Sequence, residues 1–326
     1  MHSKRLGRTD VDISIVGVGT AFLGLPDVND AARAYADITQ SFPAVMVDRE
    51  LGAQAVIAGI EAGCTVVDTA PLYLDTAAEE MIGEALRTRP DLRSQVTVTT
   101  KVGQVYGGVD HSRDAVLRHV EGSLQRLGLE RFDVLYIHDA MDIPMEQVMG
   151  TDGALGALRQ LQKDDVVKWV GTAANEPATN ADYIETGEFD AAVIPECWSL
   201  LNQRATERIL PAAEKHNVGL VVATPLERGL LATGPVPGID YLARDFTQPV
   251  LDHVAIIQAL CADHGVRLNA VALQWCARHP QVTGTIPGAR TPEEARANGE
   301  AGSAVIPEAL WTDLEPLVQH WQVSQV

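Results

Sequence analysis

Eight stretches of the chain carry near-continuous apolar and β-branched residues over strand length. They are ISIVGVG near 13–19, CTVVDTA at 64–70, VTVTTKVG at 96–103, FDVLYIHD at 132–139, VVKWVGTA at 166–173, AAVIPE at 191–196, VGLVVATP at 218–225 and VTGTIPG at 282–288. The intervening stretches AEEMIGEALRTR, RDAVLRHVEGSLQRLG, LGALRQLQKDD and RATERILPAAEKH instead repeat their apolar residues at three and four, the helical period. Strands apolar on both faces, alternating with such helices, predict a parallel sheet covered on its outer side. An uninterrupted series with no linker rich in Pro, Ser or Gly predicts one closed (β/α)8 TIM barrel over residues 1–326, rather than an open doubly wound sheet in two halves.

Two segments depart from the alternation. LPDVNDAARAYADITQSFPAVMVDRE, which makes up most of an insertion over 20–49 and runs one residue past it, is too long for an ordinary strand-to-helix loop and reads as a lid. The stretch from Leu230 to about Leu251, with its turn string TGPVPGID, reads as a second long loop on the strand-end face. Composition then narrows the function classes. A formal charge of −19, from 44 acidic against 25 basic residues, sets up a field that repels phosphate backbones and anionic lipid, so neither nucleic acid nor membrane is an expected partner. Cys64, Cys197, Cys261 and Cys276 lack the paired short spacing of a metal site and read as reduced, buried thiols; no metal is expected. The polar start MHSKRLGRTDVD has no apolar signal core, and no uncharged run approaches the roughly 20 residues of a membrane span, so the expected location is cytoplasmic.

In such a barrel chemistry sits at the C-terminal ends of the strands, which directs attention to four residues. Asp68 ends the second strand, Tyr73 follows in its loop, Lys101 ends the third and His138 ends the fourth. Each alone has a plain structural reading: Asp68 as a turn or cap residue, Lys101 as a partner of a surface carboxylate, His138 as a core histidine. On three consecutive strand ends they form a set with a chemical logic. A tyrosine of pKa about 10 exchanges protons poorly near neutrality unless its phenolate is stabilised. The Lys101 ammonium would supply that stabilisation and Asp68 would hold the ammonium, leaving His138 to donate to a substrate oxygen. Tyr73 would then give a proton to a carbonyl oxygen as a hydride arrives, or take one from an alcohol as a hydride leaves. A barrel hydrolase with Asp68 and Glu196 as paired carboxylates is the competing class, and it leaves Tyr73 and Lys101 without work.

At these residues the sequence resembles the aldo-keto reductase superfamily, through GCTVVDTAPLY, TTKVG and YIHD. The likeness extends over nearly the whole chain, through the LGRTDVDIS hairpin, GTAANE, PLERGLL and IPGARTPEEARAN. It implies a barrel that binds an extended nicotinamide dinucleotide without a Rossmann domain, so Gly17 and Gly19 read as barrel-floor or turn glycines. YIHDAMD, WSLLNQ and PLERGLL resemble the NAD-dependent aldose 1-dehydrogenase branch, acting on L-fucose or D-threo-aldoses, near the pyridoxal dehydrogenases. By position the resemblance assigns Asn175 and Glu196 to the nicotinamide carboxamide and Trp198 to stacking on the ring. A plain core aromatic is the competing reading of Trp198, and Glu196 must be protonated to donate to the carboxamide oxygen. The same carry-over gives cofactor contacts to Gly19 and Thr20, to Pro225, Leu226, Gly229 and Leu231, and to Pro287, Gly288, Ala289 and Arg290. Asn298 falls to the adenine amide. NADP-preferring relatives carry basic residues where Gly288 and Glu294 stand and a hydroxyl at Ala289; Glu294 would repel a phosphate and accept from a ribose hydroxyl, so the expected cofactor is NAD over NADP. Arg290 and Arg296 are the basic residues near enough to oppose that preference. Phe22, Tyr73, His138 and Trp198 make the expected substrate pocket, with Tyr35, Phe42, Met46 and residues near Leu230–Asp245 around it. The implied reaction is oxidation of a sugar hemiacetal to a lactone. Oxidation of a non-sugar alcohol of the pyridoxal type, or a dinucleotide-binding redox sensor with negligible turnover, are the alternatives. A monomer and a homo-oligomer both remain open.

Overall fold

The structure is a computed structural model that describes residues 1–35, 37–239 and 241–323. Eight strands form its centre: β1 (Val18–Gly19), β2 (Val66–Asp68), β3 (Thr97–Val102), β4 (Phe132–His138), β5 (Val167–Ala173), β6 (Ala191–Ile194), β7 (Gly219–Ala223) and β8 (Val282–Ile286). They pair in chain order and all in parallel. Gly17 N donates to Thr285 O at 2.8 Å and Gly19 N to Pro287 O at 3.0 Å, which joins β8 to β1 and closes the barrel. Glycine is required at this seam: a Cβ on Gly19 would lie 2.6 Å from the Ile286 carbonyl oxygen. The two glycines read from the sequence as floor or turn residues are therefore seam residues.

The ISIVGVG run does not stay whole. Asp12–Ser14 pairs antiparallel with Ser3–Arg5 as a hairpin, and only Val18–Gly19 enters the barrel. Ser14 ends the first ladder, its hydroxyl donating to Val16 O at 2.7 Å and its amide to the Thr65 hydroxyl at 2.8 Å. The hairpin plugs the barrel floor, where Leu6, Val11 and Ile13 cluster with Val66, Val134, Tyr136, Val193 and Val221.

Eight helices cover the outside: α1 (Arg49–Glu61), α2 (Ala77–Thr88), α3 (Arg113–Leu127), α4 (Ala154–Lys163), α5 (Pro177–Glu185), α6 (Ile209–His216), α7 (Leu268–Arg278) and α8 (Pro292–Ser303). Their apolar faces meet the outer face of the sheet, most of them in the main core and those of α5 and α6 largely in a second cluster against β6 and β7. Asp48, Ser112 and Thr291 cap α1, α3 and α8 by accepting from amides of the first turn, and Gly128 ends α3 in the left-handed conformation. The insertion after β1 contains a short helix, Val28–Ala34, and folds over the strand ends. The second expected loop is helical at both ends, Leu230–Thr233 and Gln248–Asp263, with an irregular crossing between them. Among the described residues no helix is long and apolar enough to cross a membrane, no three His, Cys, Asp or Glu side chains group as a metal site, and the four cysteines are buried and unpaired.

Candidate active site

Asp68 pairs in register with Thr99 on the neighbouring parallel strand, so Lys101, two residues on, leaves β3 on the same side. The consequence is a closed set of contacts: Lys101 Nζ lies 2.5 Å from Asp68 Oδ1 and donates to Thr69 O at 2.8 Å, while the Thr99 hydroxyl donates to Asp68 Oδ2 at 2.9 Å. Thr20, from the end of β1, donates to the Asp68 carbonyl. The Lys101 and Asp68 side chains are only 2% and 4% exposed, so each charge is tolerable because the other is there.

Tyr73 lies over this pair, with Lys101 Nζ 4.7 Å from its ring centroid. Leu74, Asp75 and Thr76 follow with φ of 55°, 51° and 72°, three consecutive left-handed residues that turn the chain sharply into α2. The Tyr73 hydroxyl makes no hydrogen bond to any described residue. Burial, and then the carboxylates of Asp68 and Asp139, hold the phenol well above its ordinary pKa. Lys101 meets the ring face rather than the hydroxyl, and its charge is already matched by Asp68. Tyr73 is thus protonated at rest.

His138 ends β4 with its ring edge-to-face on Tyr73 at 5.9 Å. Burial, then the charges of Lys101 and His111, keep its imidazole well below the ordinary histidine pKa, so it is neutral at pH 7. Its Nδ1 is buried without a partner among the described residues. His111 Nε2 lies 2.6 Å from the His138 carbonyl oxygen, and since a carbonyl only accepts, that nitrogen carries the proton. The structure thus brings the four expected residues into one contact set at the ends of β2, β3 and β4.

Asp139 is a member of the site that the sequence reading did not single out. At φ 43° it departs from the strand path, its amide donates to Ala173 O, and its carboxylate accepts from Asn175 N at 2.8 Å and Asn175 Nδ2 at 3.0 Å. Its Oδ2 is 3.9 Å from His138 Nε2. Burial pushes this carboxyl up to about 6 against the lowering effect of the Asn175 bonds. Because Asn175 Nδ2 faces the carboxylate, its Oδ1 remains an unused acceptor.

The residues assigned to the cofactor fall on successive strand ends: Asn175 after β5, Glu196 after β6, Pro225, Leu226, Gly229 and Leu231 after β7, and Pro287, Gly288, Ala289 and Arg290 after β8. Two of the assignments meet a different arrangement. Trp198 is turned into the core behind β6: its indole stacks on Trp275 at 4.8 Å, Nε1 donates to the Cys276 carbonyl, and only 6% of it is exposed. It is therefore the core aromatic of the two readings and stands apart from Tyr73 and the pocket. Glu196 is taken up by arginines. Its carboxylate accepts from Arg244 Nη2 and, at 3.4 Å, from Arg228 Nε. Arg244 also donates to Glu227 Oε2 at 3.0 Å, and the Ser199 hydroxyl donates to Glu227 Oε1. Burial and the neighbouring Glu196 push the Glu227 carboxyl up to about 7. Glu294 and Arg290 are partners, Nη2 to Oε1 at 2.5 Å and the Arg290 amide to Oε2 at 2.8 Å, and Asn298 Nδ2 donates to Gly288 O at 3.3 Å. Of the expected pocket aromatics, Phe22 packs on Tyr35 and Tyr35 on Tyr73, each edge-to-face, and Phe42 packs on Tyr106. Met46 is 64% exposed and lies outside this chain of contacts.

Residues 41–319 match the Aldo/keto reductase family, a span that includes Asp68, Tyr73, Lys101 and His138. The chain belongs to the aldo/keto reductase family. It is 27% identical to pyridoxal 4-dehydrogenase of Microbacterium luteolum, an alignment covering 96% of each protein. It is also 27% identical to D-threo-aldose 1-dehydrogenase of Pseudomonas sp, over 78% of this chain and 84% of that protein. Among solved structures, the holo form of aldo-keto reductase AKR11C1 from Bacillus halodurans superposes with a TM-score of 0.73 over 98% of this chain and 97% of that one, at 23% identity, and thus shares the barrel. As a member of the family the chain is an oxidoreductase that uses a nicotinamide cofactor.

Proposed function

We propose that this family member is an NAD-dependent dehydrogenase of small hydroxyl compounds, oxidising the hemiacetal carbon of an aldose to a lactone. The observation that carries the reading is Tyr73 above a buried, mutually neutralised Asp68–Lys101 pair, with a neutral His138 at its edge. His138 presents a neutral ring to orient the substrate oxygen, and the Tyr73 hydroxyl, free of protein partners, gives or takes the proton there. Bound nicotinamide supplies or accepts the hydride. The residues present fit such a group: Asn175 keeps an acceptor for a carboxamide, Gly229 stands at φ 104° with open space where a side chain would be, and the first turn of α8 offers its positive end. These groups follow one another around the ends of β5 to β8, an arc suited to an extended dinucleotide.

NAD is favoured over NADP because Arg290, one of the two arginines near that end of the site, is held by Glu294 and also reaches the backbone oxygens of Leu25 and Pro26. A second substrate reading has its own support. The edge-to-face series Phe22, Tyr35 and Tyr73 walls the reacting end with aromatic carbon, which suits a flat aromatic alcohol of the pyridoxal type. Absorbance at the nicotinamide band with a panel of aldoses, pyridoxal and simple alcohols separates the two. Turnover with aldoses carries the proposal; turnover with pyridoxal alone replaces its substrate, and NADH binding without any turnover replaces it with the sensor. Tyr73→Phe is expected to lower kcat by at least about 10²-fold while leaving NADH affinity within about twofold. A fully active variant removes Tyr73 from the chemistry.

A further inference from the structure

We infer that Asp139, which also fixes the Asn175 amide, biases the site towards the oxidised cofactor by leaving one uncompensated negative charge beside the place of the nicotinamide ring. The inference rests on the nicotinamide reading above. Asp139 stands between two sets of residues, its carboxylate holding both the backbone and the side-chain amide of Asn175 and coming 3.9 Å from His138 Nε2. A ring whose carboxamide meets Asn175, and whose reacting carbon faces the substrate carbon that bears the oxygen held at Tyr73 and His138, must lie against that carboxylate. The carboxylate also decides which way the amide points, since an amide oxygen facing it would be repelled.

The charge count makes the effect selective. Lys101 and Asp68 cancel each other at 2.5 Å. Tyr73, with its pKa raised by burial, and His138, with its pKa lowered by burial, are neutral at pH 7. His111, which meets the His138 carbonyl, is likewise shifted towards its neutral form by burial. At the end of β6 the two arginines Arg228 and Arg244 balance Glu196 and Glu227, so among the described residues around Tyr73 and His138, Asp139 is left as the net charge of −1. A positively charged oxidised ring is attracted by it, whereas the neutral reduced ring is not. In a partly buried site one such charge is worth on the order of tenfold in affinity. The Asn175 contact by itself serves both forms of the cofactor equally.

The test measures dissociation constants of NAD+ and NADH for the unaltered chain and for Asp139→Asn at about pH 8, where the carboxyl is ionised. The expected result is an NAD+ affinity weakened by about tenfold with NADH held within about twofold. Equal shifts for both nucleotides, or none for either, overturn the inference while leaving the cofactor reading in place. A wild-type chain that binds neither nucleotide rejects the cofactor reading and this inference with it. Should Asp139→Asn fail to fold, the unaltered chain supplies the same information. Its NAD+ affinity should fall as pH drops through about 6 and Asp139 takes up a proton, with NADH affinity level. An NAD+ affinity that stays level over that range overturns the proposal.

Discussion

At the scale of single residues, the contacts of Glu294 revise the argument for NAD. Taken alone, its carboxylate would repel the 2′-phosphate of NADP. In the structure both of its oxygens are occupied by Arg290, so the pair is close to neutral and the repulsion is small. The proposed preference for NAD rests instead on the Arg290 guanidinium being held. Glu294→Lys should therefore act twice, adding a cation and releasing Arg290 to meet the phosphate. The ratio of kcat/KM for NADP to that for NAD is expected to rise by roughly 10²-fold, about tenfold for each cation gained. Glu294→Gln, which weakens the hold on Arg290 without adding charge, should give about tenfold. An unchanged ratio in both variants would show that the phosphate position lies elsewhere.

At the scale of elements, strands were legible because both of their faces are buried, which leaves runs such as VTVTT and FDVLYI apolar or β-branched nearly throughout. The proposed catalytic quartet was legible because polar residues at the ends of such runs stand out. Asp139 was not, since strand alternation sends it to the opposite side from His138; only its left-handed backbone returns it to the site, and Asp is a residue that tolerates that conformation. Trp198 was ambiguous because nothing local chooses between a ring facing the pocket and one stacked on Trp275, which is 77 positions further on (275 − 198). Arg244 was hidden for the same reason, as its partners come from the loops after β6 and β7. This arginine ties the crossing between Leu230–Thr233 and Gln248–Asp263 to the barrel. Arg244→Met would leave Glu196 and Glu227 buried together with only the more distant Arg228 between them. Such a loss costs about 3–5 kcal/mol locally. The crossing around 234–247 is expected to be cut by protease several-fold faster than in the unaltered chain. Protonation of Glu227, which takes its proton near 7, removes one of the two buried charges, so the difference should be larger at pH 8 than at pH 6. A cutting rate independent of the substitution would show that Arg244 does not hold the segment.

At the scale of the whole molecule, the site depends on β3 being held from both sides. Lys101 leaves the strand towards the barrel interior, and its neighbour Thr100 leaves it towards the helices, where its hydroxyl donates to Glu79 Oε1 at 2.6 Å. Glu79 is fully buried on α2, the helix that follows the Tyr73 turn, and its other oxygen accepts from Arg126 of α3 at 2.7 Å. One carboxylate thus joins the strand of Lys101, the helix behind Tyr73 and the next helix round the barrel. Glu79→Ala leaves the Thr100 hydroxyl without its acceptor and Arg126 without its counter-charge. Since the Arg126 side chain is 23% exposed and retains some water, the cost belongs at the lower end of the range for a broken buried pair, about 3 kcal/mol. For a chain of this size that corresponds to a fall of roughly 6 °C in Tm. Replacing both partners, Glu79→Met with Arg126→Met, should recover most of the loss, because two apolar side chains of similar volume leave no buried charge unpaired. If the double variant were as unstable as Glu79→Ala, volume or the Thr100 bond would be the dominant contribution, and the ion pair would not be what joins β3 to its helices.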